Sequence, residues 1–138
     1  MFPLNLIKRN ISAIIILIGG SSAPGCHLNN GELLKFDFTD GIESFKTNHE
    51  LLNYKNIKGF SCSAFCQIEG IGGFIFGGYD GNECLNQILK IDEIEPHNVN
   101  LLSPLPFGLK NAAALPSPDK QRIWIIGGWD GYNTQKMV

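Results

Sequence analysis

An apolar run ending in two adjacent glycines occurs three times in this chain: IIILIGG at 14–20, GGFIFGG at 72–78 and RIWIIGG at 122–128. The diglycines begin at 19, 77 and 127, so the spacings are 58 and 50 residues. A period of that size points to repeated supersecondary units stacked on one another, because one such unit cannot bury its own apolar face. Near-identical turns follow the second and third copies, Tyr79-Asp80-Gly81 and Trp129-Asp130-Gly131, whereas the first has a longer connection, SSAPGCHLNNG at 21–31. Further landmarks keep order. Leu33-Leu34-Lys35-Phe36-Asp37 matches Ile88-Leu89-Lys90-Ile91-Asp92, and Lys58 and Lys110 precede small-residue segments by similar distances, 19 and 17 residues ahead of the next diglycine.

The units read as strands. Their runs are short, rich in Ile, Phe and Leu, and bounded by Gly, Asn, Asp and Pro. The second unit divides into strands a at 60–67, b at 73–77, c at 87–92 and d at 98–102. The third supplies a at 110–115 and b at 122–127. The first supplies a near 3–7, b at 12–18, c at 32–38 and d near 43–48. The b strands, apolar on both faces, read as central strands covered by neighbouring sheets. Gly19, Gly20, Gly77, Gly78, Gly127 and Gly128 let the chain leave a packed sheet sharply, and Asp80-Gly81 and Asp130-Gly131 are strong turn pairs.

Composition excludes several classes. With 43% hydrophobic and 17% charged residues the chain has enough apolar surface to fold and too little charge to stay extended. Eleven Lys and Arg against 13 Asp and Glu, with no basic block, argue against a nucleic-acid binder. Residues 11–18 are too short for a membrane span and read as a buried strand rather than the core of a signal peptide at 1–24. Asn10-Ile11-Ser12 abuts that strand and is a poor glycosylation acceptor. Cys26, Cys62, Cys66 and Cys84 are too sparse for a disulfide scaffold and lack a zinc spacing, so four thiols in a reducing, cytoplasmic setting are expected.

FIFGGYDG (74–81), IWIIGGWDG (123–131), Asp37, Asp92 and the LSPLP turn at 102–106 together resemble kelch repeats. The tryptophan usual in the fourth strand of that family is missing; Phe45 and Val99 or Leu101 stand near its place. The resemblance implies an all-β fold: an incomplete kelch-type β-propeller of four-stranded antiparallel blades, with blade 1 at 1–56, blade 2 at 57–107 and a truncated blade 3 at 108–138. Propellers close with about four to eight blades, so the resemblance implies a fragment, or a segment completed by further blades from a longer chain or an oligomer.

Antiparallel alternation places the b–c connections (21–31, 79–86, 129–136) and the d–a connections (49–58, 103–109) on one face. Resemblance to kelch substrate receptors implies that this face holds other proteins or peptides without catalysis, as a ubiquitin-ligase adaptor or a scaffold, with no cofactor or metal. Tyr79, Asn82, Glu83, Trp129, Tyr132 and Asn133 combine rigid aromatics with hydrogen-bonding tips, the composition of binding hot spots. Tyr79 and Trp129 equally fit packing on the glycine turn, and Lys58 and Lys110 fit either salt bridging or partner contact. The alternative is a fragment of a kelch-fold enzyme, a copper-radical oxidase or a sugar mutarotase. Copper needs converging His and Tyr ligands, whereas His27, His49 and His97 fall in three connections, with His97 on the opposite face. Glu93 and Glu95 lie on a loop, and Gly70-Ile71-Gly72-Gly73 lacks the helix of a phosphate site.

Overall fold

In the computed structural model, residues 10–39, 46–54, 56–95 and 98–136 are described. Among them there is no helix, and none long and apolar enough to cross a membrane. The strands are β1 (Asn10–Ile18), β2 (Ser21–Ala23), β3 (Cys26–His27), β4 (Asn30–Thr39), β5 (Lys46–Asn53), β6 (Ala64–Ile68), β7 (Gly72–Phe76), β8 (Ile88–Ile91), β9 (Val99–Leu101), β10 (Lys110–Pro116) and β11 (Ile123–Trp129). They form antiparallel sheets β1-β4-β5, β6-β7-β8-β9 and β10-β11, and a small hairpin, β2-β3.

Each main sheet runs in sequence order through short connections, so every pairing is local. Two apolar clusters lie between them. Leu33 and Leu52 from the first sheet meet Ile75, Leu89 and Ile91 from the second, with Phe60 and Ile57 from the connection between them. Cys66, Ile68 and Phe76 on the second meet Ala114 and Ile125 on the third, with Leu105 and Leu109 from the intervening connection. Along β6 the side chains alternate strictly, Ala64, Cys66 and Ile68 buried, Phe65 and Gln67 exposed, the period of a strand with one packed face.

The apolar run at 14–18 forms β1, but it is not covered on both faces. Ile14, Ile15 and Leu17 are about half exposed; Ile16 and Ile18, on the other face from Ile15 and Leu17, pack against the core, while neither cluster of the described residues takes in Ile15 or Leu17. Trp124 and Ile126 on β11 are also partly exposed, since among the described residues the two-stranded sheet packs on the face that carries Ala114 and Ile125. Two further boundaries move. The strand expected near 43–48 is Lys46–Asn53, which places the His49 backbone in a strand opposite Leu34 rather than in a connection. Strand a of the second unit begins at Ala64, not at 60, because 60–63 carry the connection across the diglycine turn. The strand expected near 3–7, Phe45 and His97 lie outside the described residues.

The diglycines act as junctions within and between sheets. The first glycine of each pair donates its N–H to a carbonyl beyond the following connection: Gly19 to Asn30, Gly77 to Gln87 and Gly127 to Lys136, at 3.0, 2.8 and 2.8 Å. The second glycine reaches onward, Gly20 to the Phe60 carbonyl at 2.7 Å and Gly78 to that of Leu109 at 2.8 Å. Its own carbonyl accepts from Leu28, Leu85 or Gln135. Phe60 and Leu109 complete the pattern by donating to Leu28 and Leu85. Both glycines of each pair have positive φ. A Cβ on Gly77 would stand 2.0 Å from the Leu109 carbonyl oxygen, and one on Gly19 within 2.9 Å of the Phe60 ring.

This bonding corrects one alignment. Phe60 is equivalent to Leu109, so Lys110 corresponds to Ser61 and not to Lys58. Ser61 bridges Tyr79 as Lys110 pairs with Trp129, and Cys62 and Asn111, next along, share a left-handed φ of 56° and 55°.

Candidate functional site

Three connections come together at one end of the sheets: the β2-β3 hairpin, residues 77–87 and residues 127–136. Each of the last two folds around an aspartate. Asp80 Oδ1 accepts the N–H groups of Asn82 and Glu83 at 2.9 and 2.8 Å; Asp130 Oδ1 accepts those of Tyr132 and Asn133 at 2.7 and 2.6 Å. This is the short-range side-chain-to-backbone turn that aspartate favours. Asp130 also accepts from Gln135 Nε2 at 2.7 Å through its second oxygen. Asp80 and Asp130 thus stand as internal fasteners, while the residues they hold, Asn82, Glu83, Tyr132 and Asn133, are exposed.

These bonds favour the ionised aspartates. Donation from Glu83 N–H holds the Asp80 carboxyl below its ordinary value, helped by Asn82 N–H and Lys58, with partial burial opposing; donation from Asn133 N–H does the same at Asp130. Both folded-state values are depressed, so the stability they contribute is present above the ordinary aspartate range, near pH 4, and is lost as pH falls through the folded values. Replacing both with Asn keeps an acceptor oxygen but removes the titration. The thermal midpoint of Asp80→Asn/Asp130→Asn should fall less between pH 6 and pH 3 than that of the native chain. Equal falls would show that these turns do not contribute.

Lys58 joins the second connection from outside. Its Nζ donates to Glu83 Oε1 at 2.7 Å and lies 3.7 Å from Asp80 Oδ2. The bond to Glu83 raises the lysine above its ordinary value, but both side chains are largely exposed and solvent screens the pair. Lys110 serves differently: its Nζ stands 4.0 Å from the Tyr79 ring centroid, a cation–π contact. The His27 ring meets Tyr79 edge-on at 5.7 Å, and the Tyr79 hydroxyl donates to the Gly81 carbonyl at 3.0 Å. Tyr79 is therefore held in place, and Trp129 and Tyr132 are the more open aromatics, Tyr132 86% exposed.

The expected rim residues fall into three groups: Lys58 with Glu83 and Asp80; Tyr79 with Lys110; and Trp129, Tyr132 and Asn133 around Asp130. Asn82 belongs with the first. Three contributors are additional. His27 reaches Tyr79 from the neighbouring connection. Asn29 and Asn86 occupy equivalent places and donate their side-chain amides to the following connection, Asn29 to the Tyr54 and Ile57 carbonyls and Asn86 to that of Leu105, at 3.4–3.5 Å. Their signal is the shared Leu-Asn in HLNN (27–30) and CLNQ (84–87). Glu93 and Glu95 sit on a loop held by Asp92, which accepts from Ile94 and Glu95 N–H. Among the described residues no group of three or more His, Cys, Asp or Glu is arranged to hold a metal ion.

No protein-family model and no curated protein matches the chain.

Proposed function

We propose that this chain is part of a kelch-type β-propeller and that the rim built by its b–c connections binds other proteins or peptides without catalysis, as the recognition part of a ubiquitin-ligase adaptor or of a scaffold. Blades would span 1–56, 57–107 and 108–138, completed by further blades. The observation that carries this reading is the repeated junction: the same glycine-centred hydrogen bonds recur at 19–20, 77–78 and 127–128, and at two of these junctions a further bond reaches the connection that leads into the next sheet. Side-by-side connections of this kind offer a partner several rigid tips at once. Trp129 and Tyr132 supply apolar area with little rotamer freedom, and Asn82, Glu83 and Asn133 surround it with polar groups. All four thiols are free, which suits a reducing cytoplasmic setting.

The test is a peptide array probed with the full chain. Peptides that bind should weaken about tenfold or more with Trp129→Ala/Tyr132→Ala. Lys120→Ala, beside the β10–β11 turn on the opposite face, should leave them unchanged. No peptide retained, or equal losses from both variants, would defeat the proposal, and stoichiometric copper in the purified protein would favour the enzyme alternative.

A further inference from the structure

The two internal contacts between main sheets follow one pattern, counted back from each diglycine. One and three places before it, the side chains pack toward the next sheet: Ile18 and Ile16 share a cluster with Ile75, and Phe76 and Phe74 share one with Ile125 and Ile123. Ile75, Ile125 and Ile123 stand two or four places before their own diglycines, on the face turned toward the preceding sheet. Each sheet therefore has a leading and a trailing face, as the alternation of side chains along a strand requires. At the ends of the array both kinds of face are open. The leading places of the third sheet hold Ile126 and Trp124, and the trailing places of the first hold Leu17 and Ile15. These four are 39–52% exposed, whereas Ile75, Phe76 and Ile125 at the same places between sheets are 2–6% exposed. Leu115, opposite Trp124, widens the open leading face. Among the described residues, neither cluster takes in any of these five.

Exposed apolar faces of this kind mark association surfaces, and the chain itself carries the matching half of each. A leading face meets a trailing face twice within one molecule, so the face that fits Trp124 and Ile126 is the first sheet of a second copy. Charge agrees with that pairing. Ile14 on β1 lines one groove with Asp92 and Glu93 of the second sheet. Arg122 holds the Ile14 place on the third sheet, five before the diglycine, and Asp37 holds the Asp92 place on β4. Head-to-tail contact thus brings a cationic position to an acidic one. Two copies together carry six main sheets, inside the range of about four to eight at which propellers close. A head-to-tail contact that closes in this way gives an assembly of fixed size. We infer that two copies of this chain join head to tail in a ring. The face of each β10–β11 sheet that carries Trp124 and Ile126 covers the face of the other copy's first sheet that carries Ile15 and Leu17. The inference rests on the propeller reading above and assigns the completing blades to a second copy.

Sedimentation equilibrium of the full chain tests this. The native chain should have the mass of two copies, and Leu17→Lys and Trp124→Lys should each halve it, since either change spoils both contacts of the ring. Mixing the two variants should restore the double mass in particles that contain one of each, because one contact then joins an unaltered Trp124 face to an unaltered Leu17 face. A two-fold contact between like faces would give no such rescue. Where a substitution unfolds its chain, Ile126→Lys or Ile15→Lys on the same face takes its place. A native chain of single mass at every concentration, as when further blades of a longer chain cover both faces, would overturn the inference. So would assemblies that grow without limit, a double mass that either variant leaves intact, or a mixture that stays single. A single mass with array peptides still sensitive to Trp129 and Tyr132 would remove the pairing and leave the rim reading intact; the rescued double mass with an empty array would do the reverse.

Discussion

Gly77→Ala should unfold the chain or come close to it, while Gly127→Ala at the equivalent junction should be tolerated. Both positions have left-handed backbone, φ 65° and 72°, which costs a side-chain-bearing residue about 1–2 kcal/mol. They differ in what a methyl group would meet. At Gly77 it would stand 2.0 Å from the Leu109 carbonyl oxygen, a main-chain atom of the connection to the third sheet; at Gly127 nothing lies within 4 Å. Relieving the clash must displace Leu109, which also bonds to Gly78 and Leu85 and is 1% exposed. The combined loss should exceed about 4 kcal/mol, a large share of a domain's typical 5–15 kcal/mol. Gly77→Val should be worse still, and Asn82→Ala should stay within about 0.5 kcal/mol, because Asn82 is exposed and its turn contact is made by its N–H. Urea midpoints of the four variants measure this. Equal tolerance of Gly77→Ala and Gly127→Ala would mean that the approach of neighbouring sheets at the junction carries no energy.

Phe60→Ala should cost about 3–5 kcal/mol, the usual range for removing a buried aromatic side chain. Phe60 is 1% exposed and lies in the apolar cluster between the first two sheets. Its main chain accepts from Gly20 and donates to Leu28, so the fold's own hydrogen bonds hold the backbone where the ring was and limit collapse of the cavity. With a urea dependence of ~1–3 kcal/mol per molar, the midpoint should fall by more than about 1 M. Phe60→Leu, which refills part of the space, should recover much of the loss. A Phe60→Ala midpoint within experimental error of the native one would show that the first and second sheets do not pack as one unit.

The strands were legible because apolar runs punctuated by glycine, asparagine and aspartate leave little choice but short β segments. β4, β7, β8, β10 and β11 lie close to the boundaries read from residue pattern. The aspartate turns were legible as well, since Asp-Gly after an aromatic constrains the backbone locally. Less visible was anything set by which sheet faces which. The exposure of Ile15 and Leu17 depends on what packs on that face of the first sheet, which residue type does not encode. The pairing of Lys58 with Lys110 followed charge, while the fold follows the small and apolar steps Gly59-Phe60 and Gly108-Leu109. There a Cβ on either glycine would meet a carbonyl at 2.0 Å, His27 in one case and Cys84 in the other. Asn29 and Asn86 are not marked out by residue type, because asparagine is common in turns; their importance lies in which carbonyls they reach.

The ties at Gly20 and Gly78 each join a sheet to the connection that leads into its successor, and among the described residues no bond of this kind skips a sheet. Strength in such an array accumulates link by link, as in a stack held by clasps between adjacent members. Amide protons in the middle sheet, clasped on both sides, should therefore exchange more slowly than those of β10–β11, and damage at one clasp should loosen its two neighbours before it is felt at the far end.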